Sequence, residues 1–352
     1  MTGYYSQITV NRIFICALVA VAVCTSHGKC EANTDGESDS LSARAEKAFE
    51  HEEYETAISL LTEALKGKPN PEFLCERAAA KSELRDYAGA IRDCDDALKL
   101  HPNEHALIMA YLCRAQCFVA TNDHNHAISD CTLALDIDAK CMEAWIIRAG
   151  VWYQLENAKL AIVDINHCID LDPTRPEAYG FRSACHQTLG DWTNAVADAD
   201  KAVQLDDKNS NCYMFRGSAH AGNLEFDKSL ADFDKALSLD PGNDAAVAAQ
   251  CVILATCPKP DLRDTTRALQ LAQRLCEQKG MTDCNRLSLL ASVYAETGDF
   301  KNAVEWQEQA IKAATADQKN VASERLKRFQ SGRTALGDGN TYLGLTTLKS
   351  WR

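Results

Sequence analysis

The stretch YAGAIRDCDDALKLHP, residues 87–102, decides the fold. Tyr87 is followed three residues on by the small Ala90, with Ile91 behind it. Ala97-Leu98 comes seven after the small residue, and Pro102 closes the segment. Apolar and small positions recur at helical spacing. The proline ends the helix because it lacks an N–H and clashes with the preceding turn. The pattern returns as Tyr54-x-x-Ala57-Ile58 with Ala64-Leu65, and as Phe300-x-x-Ala303-Val304 with Ala310-Ile311. With the small residue as anchor the series is Ala57, Ala90, Ala127, Ala161, Ala195, Ser229, Ala268 and Ala303, in steps of 33, 37, 34, 34, 34, 39 and 35.

Each repeat holds two helices. Twelve residues before the anchor stands another small residue: Ala45, Ala78, Ala115, Ala149, Ser183, Gly217 or Ala291. Small residues there let two helix axes approach to about 8–10 Å. Five before the anchor a turn recurs, as at Gly190-Asp191 and Gly298-Asp299, which supplies a helix stop and the next N-cap. A helix pair repeating near 34 residues resembles the tetratricopeptide repeat, over residues 38–317. The resemblance implies an all-α fold, a right-handed superhelical solenoid of helix-turn-helix units. About eight units fill residues 41–317. The one near 244–283 is degenerate, because Cys257-Pro258-Lys259-Pro260 interrupts it. Residues 318–331 read as a charged capping helix and 332–352, with four glycines and no period, as a mobile tail.

A narrower resemblance lies at the C-terminal end. Leu254-Ala255-Thr256-Cys257-Pro258, Arg263-Asp264, Cys276, then Tyr294-Ala295-Glu296-x-Gly298-Asp299-Phe300 and Trp306-Gln307 look like the closing module of exported bacterial tetratricopeptide proteins. It implies an origin in a bacterial envelope and carries no catalytic activity.

Composition agrees with a folded, soluble array. Of 352 residues 46% are hydrophobic and 25% charged, which excludes extensive disorder and a polytopic membrane protein. The net charge of −13 disfavours nucleic acid and anionic lipid as partners, since both need a basic face. Sixteen cysteines are many, but most lie within helical patterns, where they read as small buried apolar residues.

The N-terminus reads as an export signal. Residues 13–24 (IFICALVAVAVC) are an apolar run of twelve behind Arg12, with small and polar residues after it. A spanning helix needs about 20 such residues, whereas a secretory signal has this length and these flanks. Cleavage after Ala32 is expected, leaving 33–40 as a linker and the mature chain secreted or periplasmic. The alternative is an uncleaved membrane anchor built on residues 13–24.

A second ladder runs through the repeats. Thirteen before the anchor stands Arg44, Arg77, Arg114, Arg148, Arg182 or Arg216. Three after it stands Asp93, Asp130, Asp164, Asp198 or Asp232. Both slots are eight residues from the hairpin turn, so they lie level in an antiparallel pair. We expect a structural ion pair within each repeat rather than a basic stripe for ligand.

No nucleophile elbow, phosphate loop or dinucleotide fingerprint is present. No metal or cofactor is expected, and His101 and His105 lack further ligands nearby. The remaining candidate is the face of the first helices, small and neutral, where Leu112, Ile146, Tyr153 and Met214 are the expected peptide-groove residues. The family's chaperone-tail clamp of Lys and Asn is absent from these slots. The expected function is therefore non-catalytic: an exported scaffold binding a protein or extended peptide. The alternative is a non-catalytic accessory subunit of an envelope enzyme or transport complex. Residues 31–60 carry nine acids against Arg44 and Lys47, while 318–352 carry seven bases against Glu324 and Asp338. That polarity suggests weak head-to-tail self-association.

Overall fold

The structure, a computed structural model, describes residues 36–278 and 283–335. Residues 1–35, with the apolar run, and 336–352, most of the expected tail, lie outside the described residues. Among the described residues the regular elements are seventeen α-helices and one 3₁₀ turn. They form two compact units that divide between Pro173 and Thr174.

The first unit holds four helical hairpins: α1 (Gly36–Glu50) with α2 (Tyr54–Ala64), α3 (Pro71–Glu83) with α4 (Tyr87–Lys99), α5 (Glu104–Ala120) with α6 (His124–Ile137), and α7 (Met142–Gln154) with α8 (Ala158–Leu171). Each pair packs together. Each second helix also packs on the next first helix, and α3, α5 and α7 touch in succession. The second unit continues with α9 (Pro176–Leu189) and α10 (Trp192–Leu205), α11 (Ser210–Gly222) and α12 (Phe226–Leu239), α13 (Asp244–Thr256) and α14 (Thr265–Gln278), and α15 (Cys284–Glu296) and α16 (Phe300–Ala313). The last helix, α17 (Ala316–Gln330), packs on α15 and α16.

One local device makes every simple hairpin. The residue five before each anchor has a left-handed backbone: Glu52, Arg85, Asn122, Glu156, Gly190, Leu224 and Gly298, with φ between 59° and 84°. It ends the first helix, and the next N–H turns back to a carbonyl of that helix's last turn. Asp86 N–H donates to the Lys81 carbonyl at 2.9 Å, Asn157 to Trp152 at 2.8 Å and Asp191 to His186 at 2.9 Å. In five hairpins that residue then caps the second helix. The side chains of Asp86, Asp123, Asn157, Asp191 and Asp299 accept the N–H three residues on, at 2.9–3.3 Å.

Packing follows from the small-residue slots. In the first unit Ala45, Ala78, Ala115 and Ala149 on the first helices and Ala57, Ala90, Ala127 and Ala161 on the second are sealed from solvent. In the second unit rings fill spaces that glycines leave. A Cβ on Gly180 would lie 2.7 Å from the Phe215 ring, and one on Gly217 would lie 2.8 Å from Phe233.

The interrupted unit remains a hairpin. The 3₁₀ turn Pro260–Leu262 lengthens its connection. Arg263 clamps the turn by donating twice to the Cys257 carbonyl, at 3.0 and 2.9 Å. Asp264 N–H donates to Leu254 O at 2.9 Å, and its carboxylate caps α14 at Arg267 N–H, 2.8 Å away. On α17, Phe329 joins the buried cluster of Ala291, Ala295 and Ala303, which covers the apolar side of α15 and α16.

Candidate functional site

The five Arg–Asp pairs lie level across their hairpins. Each arginine gives two parallel N–H bonds to one carboxylate. Arg77 reaches Asp93 at 2.9 and 2.8 Å, and Arg114 reaches Asp130 at 2.8 and 2.8 Å. Arg148 reaches Asp164 at 2.9 and 2.9 Å, and Arg182 reaches Asp198 at 2.8 and 2.7 Å. Arg216 reaches Asp232 at 2.9 and 2.7 Å. All five aspartates are buried. Their hydrogen bonds hold the protons of Arg114, Arg148 and Arg216 above the ordinary guanidinium range, against the opposing effect of burial. Four of these guanidinium groups also lie over an aromatic ring three residues earlier: Tyr111, Trp145, Tyr179 and Tyr213, at 5.7, 4.8, 5.6 and 5.4 Å. A ligand anion would have to displace a buried carboxylate. The ladder is therefore a scaffold.

The remaining guanidinium nitrogen carries a bond that the ladder reading did not include. Arg77 Nη1 donates to Thr62 at 3.1 Å, Arg114 to Asp95 at 2.5 Å, Arg148 to Thr132 at 3.0 Å and Arg216 to Asp200 at 3.2 Å. Each acceptor belongs to the preceding hairpin, so one arginine ties its own two helices together and also ties its hairpin to the one before. The acceptors all stand five after their anchors, a polar slot visible in the sequence. Gln250 replaces the arginine in the interrupted unit and keeps only this link, to Asp234 at 2.7 Å. A second side chain also stands beside some of the aspartates. Lys81 Nζ is 2.6 Å from Asp93, and His220 stands 3.8 Å from Asp232 and 2.6 Å from Glu225.

The expected groove residues need a correction. Leu112, Ile146, Tyr153 and Met214 are 4–7% exposed and offer almost no surface. Leu112 belongs to a core with Ala115, Cys131, Ala134 and Ile147, because an apolar side chain on a first helix finds the next hairpin before it finds solvent. The half-buried row on the first helices of this unit is made by other residues: Ser42 and Phe49 on α1, Ala79 and Ser82 on α3, and Gln116 and Val119 on α5. Ser42 donates to Glu76 at 3.1 Å. Gln116 Nε2 is sealed from water with no hydrogen-bond partner. An amide N–H in that position costs roughly 1–3 kcal/mol until an acceptor reaches it.

All thirteen described cysteines are buried. Among the described residues no three His, Cys, Asp or Glu are arranged to hold a metal ion, and no helix is long and apolar enough to cross a membrane.

A tetratricopeptide-repeat family model matches residues 287–317, and seven hairpins across the two units share the same left-handed turn. The chain has the tetratricopeptide-repeat fold. It is similar to human DnaJ homolog subfamily C member 7, 39% identical over 89 residues, which is 24% of this chain and 17% of that protein. It is also similar to small glutamine-rich tetratricopeptide repeat-containing protein 2 of Saccharomyces cerevisiae, 35% identical over 74 residues, 21% of each chain. The chain thus spans about a fifth or less of the length of these relatives. Among solved structures, yeast Tom70 superposes with a TM-score of 0.63 at 17% identity, covering 89% of this chain and 69% of that one. A tetratricopeptide repeat protein from Parabacteroides merdae does so at 0.60 and 17% identity, covering 74% and 98%. At that identity the likeness concerns the tetratricopeptide-repeat fold alone.

Proposed function

We propose that this tetratricopeptide scaffold is non-catalytic and binds an extended peptide segment of a partner protein along the first helices of its N-terminal unit. The observation that supports this reading most directly is Gln116. Its amide nitrogen lacks an acceptor and is closed to water as the side chain lies, so a rotamer change of this half-buried residue is what brings the N–H to a backbone carbonyl of an extended peptide. Ala79, Ser82 and Val119 leave room for a chain to lie close. We also propose that the protein is exported, on the strength of the apolar run at residues 13–24 and its polar exit.

A displayed library of random twelve-residue peptides, panned on the full chain, tests the binding face. Selected peptides should lose about tenfold in affinity to Gln116→Leu, while helicity and Tm stay near those of the parent. Equal affinity for parent and Gln116→Leu would reject this face as the site.

A further inference from the structure

On α8, Leu160, Val163 and Leu171 are 38–50% exposed, and the exposed ring of His167 stands among them. Steps of three, four and four residues set the four side chains in one stripe along the helix. Stacking on Trp145, with ring centroids 4.2 Å apart, holds the His167 ring in place. Leu133, at the equivalent of the His167 slot on α6, is exposed as well. In other hairpins the same slots carry charges: Arg92 and Asp96 on α4, Lys201 on α10, and Lys228 and Lys235 on α12. Single exposed leucines are ordinary, but an apolar row where the sibling helices are charged marks a contact surface.

The stripe is its own complement when reversed. Lys159 and Asp170 are exposed and flank it on the same side at opposite ends, eleven residues or about 16 Å apart. A two-fold axis level with Ile165 lays a second α8 antiparallel on the first, and each residue then meets the one equally far beyond the axis. Val163 faces His167 of the second copy. Leu160 comes level with Leu171 of the second copy, and Lys159 with Asp170 of the second copy, each to within one residue. Symmetry repeats every contact at the other end. A parallel pair would instead set lysine beside lysine and aspartate beside aspartate. We propose that this protein pairs with a second copy of itself through antiparallel α8 helices. The interface is isologous and closes at two copies, whereas the charge polarity between the chain's two ends would build open chains. One helix face is smaller than the roughly 800 Å² per partner of a standard stable interface, so the dimer is weak and forms at high concentration. It engages a second helix and leaves the first helices, with Gln116, free.

Sedimentation equilibrium of the full chain, from about 1 µM to about 500 µM, should show a mass that rises from one chain toward two and no further. Val163→Lys puts a charge at the centre of the contact and should leave single chains at every concentration, with helicity and Tm near those of the parent. Lys159→Glu and Asp170→Lys should each weaken association about tenfold, because each sets like charges together at both ends of the pair. The double exchange of Lys159→Glu with Asp170→Lys should restore the parent's association. Three helical turns separate the two side chains within one chain, so they regain a partner only across the antiparallel contact. A single-chain mass throughout, species larger than two chains, or unchanged association in Val163→Lys would overturn the proposal. So would a double exchange as weak as the single ones. The charge exchange decides the pairing even if Val163→Lys fails to fold.

Discussion

Arg148 and Asp164 face one another across a hairpin through two parallel bonds of 2.9 Å, while the third nitrogen of Arg148 reaches Thr132 of the preceding hairpin at 3.0 Å. One side chain therefore serves two interfaces. Asp164 is buried, so removing either partner strands a charge.

Asp164→Ala should cost about 3 kcal/mol, because it leaves a poorly hydrated guanidinium unpaired. A double-mutant cycle with Arg148→Ala, followed by urea unfolding, should give a coupling of about 0.5–3 kcal/mol. Arg148→Lys should not rescue the pair, since an ammonium cannot make the two-pronged contact and reach Thr132 together. Additive single mutants would show that the pair carries no specific energy.

The hairpin turn predicts opposite effects at equivalent positions. Gly190 has φ +75° and open space where a Cβ would stand, so Gly190→Ala isolates the backbone cost. A loss of about 1 kcal/mol is expected in chemical denaturation. Leu224 holds the same conformation with φ 63° and a half-exposed side chain, so Leu224→Gly should raise stability by up to about 1 kcal/mol.

Glu225 should shape the acid limb of the stability profile. Hydrogen bonds from Lys228 at 2.9 Å and His220 at 2.6 Å depress its carboxyl to about 2. A carboxylate with a lowered folded-state value stabilises the fold above its unfolded value, near 4.3. It loses that contribution as pH falls through the folded one. Urea midpoints measured from pH 5 to pH 2 should fall less steeply in Glu225→Gln than in the parent. Parallel curves would exclude the linkage.

Gly217→Ala should destabilise by about 1–3 kcal/mol, because the new methyl would meet the Phe233 ring at 2.8 Å. Phe233→Leu in the same chain should recover part of the loss by vacating that space. Thermal unfolding of the two single variants and the double variant reads the recovery directly.

Much of this architecture is legible without coordinates. The 34-residue period marks the hairpins. Arg148 and Asp164 stand equidistant from their turn, and in an antiparallel pair equal distance means equal height, so their meeting follows from counting. The Asp and Asn caps follow from the same frame. What counting along one chain cannot supply is the stacking of one hairpin on the next, because inter-repeat offset depends on how the side chains of two surfaces interlock. That offset brings Thr132 under Arg148, buries Leu112 against the next hairpin and leaves Gln116 Nε2 buried without an acceptor. It also gathers Cys94, Cys113 and Cys117 into one patch, although their spacing in the chain resembles no known site. Local propensity and symmetry act within a hairpin and are written in its residues, whereas contacts between hairpins exist only once the stack has formed.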